Sequence, residues 1–541
     1  MSDGGSARAD RFASLFILLL AATVRILTIP SSLPYLGYVD EGHVLHPVVT
    51  LLRTEGWDPK TYLHPSLSVY LITGMAHLAR PVYRMVHGHS LLDDLPANET
   101  YYDFVSPPEL IVLGRVLIAT ISVATVALVF AFAQRLGGRH TAVLAGLLAA
   151  LCPALVTRAP IVIIDSVAAF FALAALFFAH RLEISAPDDP VSAPTGLSRA
   201  TIRDSLLAGA CAGLALTAKY TIGVVFLAVA FTILTRPGGL REKLRLLVLA
   251  TGGAIGTAVI AMPALVFRLR AVVRAVLEQS MLYANPTLFD FSHGGPGYFG
   301  QAILPLELGL PLSIVGVFGF GWMLARRPTR RTALAWAFFA AALLAPLLSH
   351  HYQPFRNVLP LVPPFCIAAA LPLAGGLSLW NRKGLLAALI ALIVTGSLAT
   401  SLASWLAARV RLVDSRISLV NWLATHTRHD QRILVLSDLA ILPTELQRSP
   451  AKVRLVPWFE ALDALQTETY DYVVVGQIDL SGSTRPDGAM YRRRWEEGTS
   501  AMTPEVSFGG KPTPVFPNYW RYNDELITVL RPSGTQHEVE R

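Results

Sequence analysis

The chain has 541 residues, of which 53% are hydrophobic and 15% are charged, with a formal net charge of +8 at pH 7. Soluble domains carry about 25% charged residues, so this composition excludes an ordinary soluble protein and predicts a polytopic membrane protein. The positive charge does not indicate a nucleic-acid partner, because the arginines are spread over short connections between apolar segments. Disulfide and metal-binding spacings are absent from the cysteines, which are Cys152, Cys211 and Cys366.

The first 408 residues contain recurring apolar windows. A membrane-spanning helix needs about 20 mostly apolar residues, and windows of that kind predict about eleven transmembrane helices. The short pieces 204–217 and 222–235 are separated only by "AKYT", so they form an antiparallel pair, one broken helix or a re-entrant element. The predicted segments lie near residues 12–29, 110–134, 141–157, 161–180, 204–217, 222–235, 244–267, 299–324, 332–349, 358–378 and 384–408.

Basic residues in the short connections predict the orientation of these helices. Lys and Arg in short loops stay on the cytoplasmic side, and every second connection of this chain is basic. With the N-terminus in the cytoplasm, the loop 30–109 and the tail 409–541 face the extracytoplasmic side. The first apolar segment has no small-x-small cleavage site and is expected to remain as an uncleaved helix. The sequence therefore predicts a multi-pass protein of the plasma or inner membrane.

The tail has a different pattern from the rest of the chain. Short β-rich runs, "RILVLSD" and "YDYVVVGQ", alternate with the helix-like stretches "SRISLVNWLATH" and "PWFEALDALQ". This alternation predicts a small extracytoplasmic α/β domain at 409–541, beside an all-α polytopic membrane domain at 1–408. Neither GxGxxG nor a P-loop motif occurs in it, so the pattern does not support nucleotide binding.

Acidic residues at two places stand out against the apolar background. Asp40 and Glu41 follow the first apolar segment in "YVDEG"; they are either solvated or helix N-terminal acids, or part of a site. Asp165 lies within the apolar stretch "PIVIIDSVAAFF", where a carboxylate costs about 2.5 to 3.5 kcal/mol at mid-membrane. Because acids in such segments are by default functional, we expect Asp165 to face the same extracytoplasmic cavity as Asp40.

Cationic residues recur at the same predicted face. Lys219 in "LTAKYTIGV" either extends to the interface or faces the cavity. Tyr352 and Arg356 in "SHHYQPFRN" form either an interfacial belt or an anion site, since Arg can bind phosphate through two nitrogens and Tyr can donate to its oxygens. Acids suit an acceptor hydroxyl or amine that must lose a proton, and cations suit a phosphate leaving group.

The order of these motifs resembles a known family. "YVDEG", "LHPSLSVYL", "IIDSVAAF", "TAKYT" and "PFRNVLPLVPPF" are similar to motifs of the GT-C glycosyltransferases of the protein O-mannosyltransferase and lipid A aminoarabinose transferase superfamily. The resemblance covers roughly residues 10 to 380 and is strongest in the first 170. One departure is "HPSL", where many members of the family have HPPL.

The resemblance implies a GT-C-like fold and transfer of a sugar, with inversion, from a polyprenyl-phosphate-linked donor to an envelope, lipid or protein acceptor. It implies that Asp40 is the catalytic base, with Glu41 beside it, and that Asp165 is a second catalytic acid. The donor phosphate is then expected to contact Lys219, Tyr220, Tyr352 and Arg356. His64 is expected to be structural, orienting a juxtamembrane helix, and His43 to be structural or to lie on the acceptor side.

Two other classes of protein are compatible with these sequence features. A lipid-linked sugar flippase or transporter, or a non-catalytic subunit for envelope assembly, would also have many spans. A transporter needs no acidic pair in an outer loop and more often has charges at mid-membrane depth or repeated halves. The Asp40 and Glu41 loop therefore favours the enzyme.

Secondary features complete the set of expectations. The segment 268–298 begins with spaced arginines, which predicts a surface helix against lipid phosphates, with a mobile lid as the alternative. Tyr298 and Glu307 near its end are weaker site candidates.

No cofactor is indicated with certainty; Asp40 and His43 are candidate ligands for a divalent cation, Mg²⁺ or Mn²⁺, although their spacing matches neither an HExxH nor a CxxC site.

Overall fold

The structure is a computed structural model. It describes residues 3–30, 32–37, 39–93, 107–185, 197–284, 308–349, 355–379, 396, 414–436, 439, 441, 443–456, 458–476, 499–509 and 526–532.

Helices make up the part before residue 380. They are α1 (Asp3–Ile26), α2 (Val39–Thr54), α3 (Leu67–His87), α4 (Pro108–Leu151), α5 (Pro153–Arg158), α6 (Ile164–Ile184), α7 (Arg199–Ala218), α8 (Val225–Thr235), α9 (Leu240–Ala261), α10 (Ala264–Phe267), α11 (Leu269–Ala284), α12 (Leu310–Ala325), α13 (Arg327–Ser349) and α14 (Val362–Leu379). Short 3₁₀ helices cover Tyr220–Val224 and Phe355–Leu361.

The number of membrane spans is not confirmed as eleven. Within the described ranges, five helices are long and apolar enough to cross a membrane, and two apolar helices are shorter. One reason is that α4 contains the segment predicted at 110–134 and most of the one predicted at 141–157. Gly138, with φ 77° and ψ −167°, reverses the chain there, a conformation that a residue with a side chain rarely adopts. The last predicted segment, 384–408, lies outside the described residues except for Gly396.

The two short pieces around Lys219 form an antiparallel pair, α7 and α8. Arg181 near the end of α6 pairs with Asp204 in the first turns of α7, with 3.0 Å between Nε and Oδ2. Arg236, directly after α8, donates to the backbone oxygen of Ser185, directly after α6, at 3.3 Å. The start of α7 and the end of α8 therefore lie at the same end of α6, and the chain reverses at Lys219.

Small residues bring α7 and α9 into direct backbone contact. A Cβ added at Gly209 would lie 1.8 Å from the oxygen of Ala250, and one at Gly213 would lie 2.2 Å from the oxygen of Ala254. Residues four apart on one helix thus meet residues four apart on the other, in the same order, so the helices run parallel. Such small-residue interfaces are typical of packed helices in membranes.

The tail forms a small α/β unit with helices on both faces of a sheet. Its elements are α15 (Ser415–His426), β1 (Arg432–Leu436), α16 (Pro443–Leu446), β2 (Lys452–Val456), α17 (Trp458–Thr467), β3 (Tyr472–Gly476), β4 (Met502–Phe508) and β5 (Ile527–Pro532). The strand order is β2-β1-β3-β5-β4, with β1 parallel to β2 and β3, and β5 antiparallel to β3 and β4. Ile433 and Val435 of β1 pack with α15, whereas Leu434 and Leu436 pack with α17.

Candidate active site

A cleft of about 700 Å³, including its open mouth, lies at the end of the helices where α6 begins and α7 ends. Residues of the loop 30–109 form one wall, and the end of α13 with the following 3₁₀ helix forms another. Part of the lining is apolar. The cleft is lined by Asp40, Val44, Leu63, His64, Pro65, Ile163, Ile164, Asp165, Lys219, Tyr220, Thr221, Gln279, Leu343, Pro346, Leu347, Arg356 and Asn357.

The first charged pair of the cleft joins Asp40 to Arg356. Asp40 lies in the first turn of α2, where a carboxylate is favoured by the helix dipole. Its Oδ2 contacts Nη1 of Arg356, which lies in the 3₁₀ helix Phe355–Leu361. The side chains keep 18% and 14% of their surface exposed. A ligand in the cleft can therefore reach both charges.

The second pair joins Asp165 to Lys219. Asp165 lies in the first turn of α6, and Lys219 is the residue at which α7 ends. Nζ of Lys219 donates to Oδ1 of Asp165 and to Oδ1 of Asn357, each at 2.5 Å. Asp165 is 2% exposed, whereas Lys219 is 14% exposed. Both residues line the cleft, and Lys219 is the more accessible member of the pair.

His64 contributes a neutral ring to the same wall. Desolvation lowers its pKa to about 4, against smaller opposing effects of Asp40 and Asp165, while His43 and Arg356 lower it further. The ring of His43 stands edge-on to it, with the centroids 6.1 Å apart. At neutral pH, His64 therefore carries no charge and can act as a hydrogen-bonding residue of the wall.

Glu41 is not brought into the cleft. It is fully buried, and its carboxylate accepts from Nε and Nη2 of Arg115, both at 2.9 Å, from the backbone N–H of Gly37 at 2.8 Å and from that of Val162 at 3.0 Å. Arg115 also donates to the backbone oxygen of Ile29. The donors to this carboxylate are a buried arginine and two backbone groups, and the catalytic role of Glu41 beside Asp40 stays a prediction.

Other sequence expectations have mixed outcomes. Tyr220 lines the cleft, and its hydroxyl donates to the backbone oxygen of Tyr62 at 3.0 Å. A helix, α11, covers the first half of the segment 268–298, and Gln279 from it reaches the cleft. Sequence reasoning missed Asn357 and Gln279, although Asn357 adjoins Arg356. The predicted candidates outside the described residues are Tyr298, Glu307 and Tyr352.

The residues around Asp40 do not fit a metal site. Within the described ranges, no group of three or more His, Cys, Asp or Glu side chains is placed to hold a metal ion. Asp40, one of the expected ligands, is instead paired with Arg356.

Comparison with known proteins adds a family and a fold. The sequence profile of the dolichyl-phosphate-mannose-protein mannosyltransferases matches residues 63–276. No curated protein sequence matches the chain significantly. Solved structures share its fold at low sequence identity.

One similar structure is the oligosaccharyltransferase AglB of Archaeoglobus fulgidus, in complex with an inhibitory peptide and a dolichol-phosphate. It has a TM-score of 0.54 at 14% identity, and the match covers 94% of this chain and 74% of that chain. Another is ArnT from Cupriavidus metallidurans bound to undecaprenyl phosphate, with a TM-score of 0.51 at 15% identity, covering 98% of each chain. Over residues 63–276 the chain is therefore similar in sequence to the dolichyl-phosphate-mannose-protein mannosyltransferases, and it shares the fold of AglB and ArnT.

Proposed function

We propose that this protein transfers a sugar from a polyprenyl-phosphate-linked donor to an envelope glycan, lipid or protein acceptor, with inversion, on the extracytoplasmic face of the cell membrane. The observation that carries the proposal is the pairing of two acids with two cations around one cleft, Asp40 with Arg356 and Asp165 with Lys219. Transfer from a lipid phosphate needs a proton acceptor and a phosphate site within one sugar's width. The cleft offers both.

The proposed reaction is a single displacement. An oxygen or nitrogen of the acceptor attacks the anomeric carbon and gives its proton to the carboxylate of Asp40. The bond between the anomeric carbon and the phosphate oxygen breaks, and the lipid phosphate leaves with the electron pair. Because attack and departure occur on opposite faces of the carbon, the configuration inverts. Such general-base assistance contributes roughly 10²- to 10⁴-fold.

Arg356 has a double role in this proposal. While it is paired with Asp40, it holds the carboxylate in an ion pair. The donor phosphate competes for the same guanidinium, and it gains negative charge as the bond to the sugar breaks. Arg356 then interacts more strongly with the phosphate and less with Asp40. The carboxylate of Asp40 is thereby released toward the acceptor when a donor is in place.

Lys219 is the proposed second phosphate contact. Asp165 and Asn357 hold its ammonium group from the protein side, leaving its remaining exposed surface toward the cleft. Asp165 thus orients a cation and also offsets its charge in the absence of donor. Tyr220 and the sequence-predicted Tyr352 complete the proposed donor site. The complexes of AglB with dolichol-phosphate and of ArnT with undecaprenyl phosphate support this class of donor.

The proposed domain division is a membrane domain at 1–408 and an extracytoplasmic domain at 409–541, with the N-terminus in the cytoplasm. The tail contacts the segment just before Asp40, so the tail and the cleft share one side. A cysteine at the exposed position Asp430 should react with an impermeant thiol reagent in intact spheroplasts, whereas one at His140 should react only after lysis. The opposite labelling pattern would reverse the proposed orientation.

The direct test of function uses purified protein in a bilayer with radiolabelled polyprenyl-phosphate sugars. The enzyme releases free polyprenyl phosphate and labels an acceptor. Binding of lipid-linked sugars with movement across the bilayer but no release would instead indicate a transporter. The same assay in EDTA, with and without added Mg²⁺ or Mn²⁺, measures any metal dependence.

A further inference from the structure

Arg416 of α15 joins the tail to the segment that leads into Asp40. Its Nη2 donates to the backbone oxygen of Leu36 at 2.7 Å, although the residues are 380 positions apart. Its guanidinium also lies over the ring of Tyr35, 4.5 Å from the centroid. The carboxylate of Asp414 accepts from Nε and Nη2 of Arg416 at 2.8 and 2.6 Å. The arginine is held from both sides, since both charged side chains are at most 1% exposed.

Tyr35 belongs to the core of the tail. It is 2% exposed and packs in one apolar cluster with Leu419, Val420 and Leu423 of α15. A residue of the loop 30–109 thus completes a hydrophobic core whose other members lie beyond residue 414. The packing of Tyr35 is therefore part of the hydrophobic core of the tail and is not a contact between two surfaces.

The same segment is fixed from its other side by the Glu41 and Arg115 pair. Gly37 donates its N–H to Glu41, and a Cβ at this position would lie 3.0 Å from Oγ of Ser32 and 3.4 Å from Nη2 of Arg115. Asp40 lies in the first turn of α2, three residues later. From Leu36 to Asp40 an extended chain reaches at most about 14 Å, so Asp40 stays within this distance of the contacts that hold Leu36.

We infer that Arg416 is a positioning residue for the proposed base: the tail clasps residues 35–37 through Arg416 and thereby sets the placement of Asp40 relative to Arg356. This inference rests on the proposed function. It gives the tail a part in catalysis without any contact between the tail and the substrate. The clasp has two arms, the hydrogen bond to Leu36 and the packing of Tyr35, and Arg416 takes part in both.

The test compares full-length proteins in lipid nanodiscs. The double variant Asp414→Asn/Arg416→Gln removes both charges together, which avoids leaving one buried charge unpaired. Arg416→Lys retains the cation for Asp414 but loses the planar group that stacks on Tyr35 and donates to Leu36. Arg448→Gln is the matched control, since Arg448 pairs with Glu445 of the tail while remaining 52% exposed.

We expect kcat per folded molecule to fall at least tenfold in the double variant and less in Arg416→Lys, with the donor KM changed by less than threefold. Amide hydrogen exchange of a peptide covering residues 32–46 should accelerate in the double variant, and the control should match wild type in every measurement. A folded double variant whose kcat stays within twofold of wild type overturns the inference, and so does a fall in kcat with unchanged exchange.

The exchange measurement does not depend on turnover, which separates failure of the inference from failure of the proposed function. A wild-type protein that never releases polyprenyl phosphate refutes the proposed function, and with it the catalytic part of the inference. Faster exchange in the double variant would then still support the clasp. Unchanged exchange would refute the clasp as well.

Discussion

Asp40 and Glu41 are consecutive residues of α2, yet their carboxylates occupy different environments. Glu41 is fully buried and accepts from Arg115, Gly37 and Val162. Asp40 faces the cleft, keeps 18% of its surface exposed and pairs with Arg356. The oxygens of Glu41 are all engaged by structural donors. The partner of Asp40 is accessible to a ligand, and we propose that a phosphate draws it away, which leaves Asp40 able to accept a substrate proton.

The arginines differ in the same way. Arg115 is 1% exposed and donates to the backbone of Ile29 as well as to Glu41. Arg356 is 14% exposed at the cleft. The ion pair behind the cleft is thus buried, whereas the ion pair in the cleft wall is accessible to a ligand. Substitutions in the two ion pairs should therefore give different phenotypes.

The largest effect is expected for Asp40→Asn. The amide keeps the size of the side chain but cannot take a proton at neutral pH, so turnover should fall roughly 10²- to 10⁴-fold. Donor binding should survive or tighten, because Arg356 loses its competitor. Release of labelled polyprenyl phosphate measures turnover, and a lipid-binding titration measures donor binding. Asp93→Asn, at an exposed acid of the same loop, is the control; near-normal turnover of Asp40→Asn would move the base elsewhere.

Glu41→Gln should reduce stability more than it changes the chemistry. It leaves the buried Arg115 without its counter-charge, and breaking such a pair costs about 3 kcal/mol or more. The expected result is a lower yield and a lower unfolding temperature, with near-normal kcat for the molecules that fold. Thermal unfolding in detergent, together with turnover per folded molecule, distinguishes a structural role of Glu41 from a catalytic one. A stable but inactive variant would restore Glu41 as a catalytic candidate.

Lys219→Met should weaken donor binding by about tenfold or more, because a charge-assisted hydrogen bond contributes about 1.5 to 3 kcal/mol. The apolar stem is retained and the cation is lost. Donor KM and equilibrium binding should both change, with a smaller effect on kcat. Lys243→Met, at a lysine beyond α8 and away from the cleft, is the matched control. Unaltered donor affinity would remove Lys219 from the phosphate site.

The smallest effect is expected for His64, through pH. The ordinary pKa of 6.5 falls to about 4 in the folded protein, so between these values the unfolded chain binds the extra proton and stability declines as the pH falls. His64→Gln should lose this part of the acid sensitivity. Unfolding temperatures of both proteins at pH 7 and pH 4.5 measure the difference. Equal slopes would mean that His64 does not titrate in this way.

Much of the cleft could be predicted from the sequence, because charges in apolar segments are costly and therefore informative. Asp165 within an apolar segment is predicted in this way, as are Asp40, Lys219 and Arg356 at the ends of such segments, and the structure brings the four together. The runs "RILVL" and "YVVVG" are strands for an equally local reason, since short apolar runs that contain Val and Ile suit a sheet covered on both faces.

The supporting contacts could not be predicted, since they join distant parts of the chain. Arg115 meets Glu41 across 74 positions, and Arg416 meets Leu36 across 380. No local spacing encodes such pairs; they follow from how whole helices pack. The reversal at Lys219 was open for a related reason, because the hydropathy of "AKYT" fits a turn, a break or a re-entrant element equally well.

The lengths of α6 and α7 have a consequence for the membrane itself. These helices of 21 and 20 residues extend about 30 Å, which equals the hydrocarbon thickness of a typical bilayer. α6 is among the helices that are long and apolar enough to cross a membrane, so we expect Asp165 at its beginning, and Lys219 beside it, to lie near the membrane surface. Longer or shorter acyl chains would change the distance between the lipid phosphates and these two residues, at a cost of fractions of a kcal/mol per Å of mismatch. Lipid composition is therefore expected to affect how well the proposed donor is aligned.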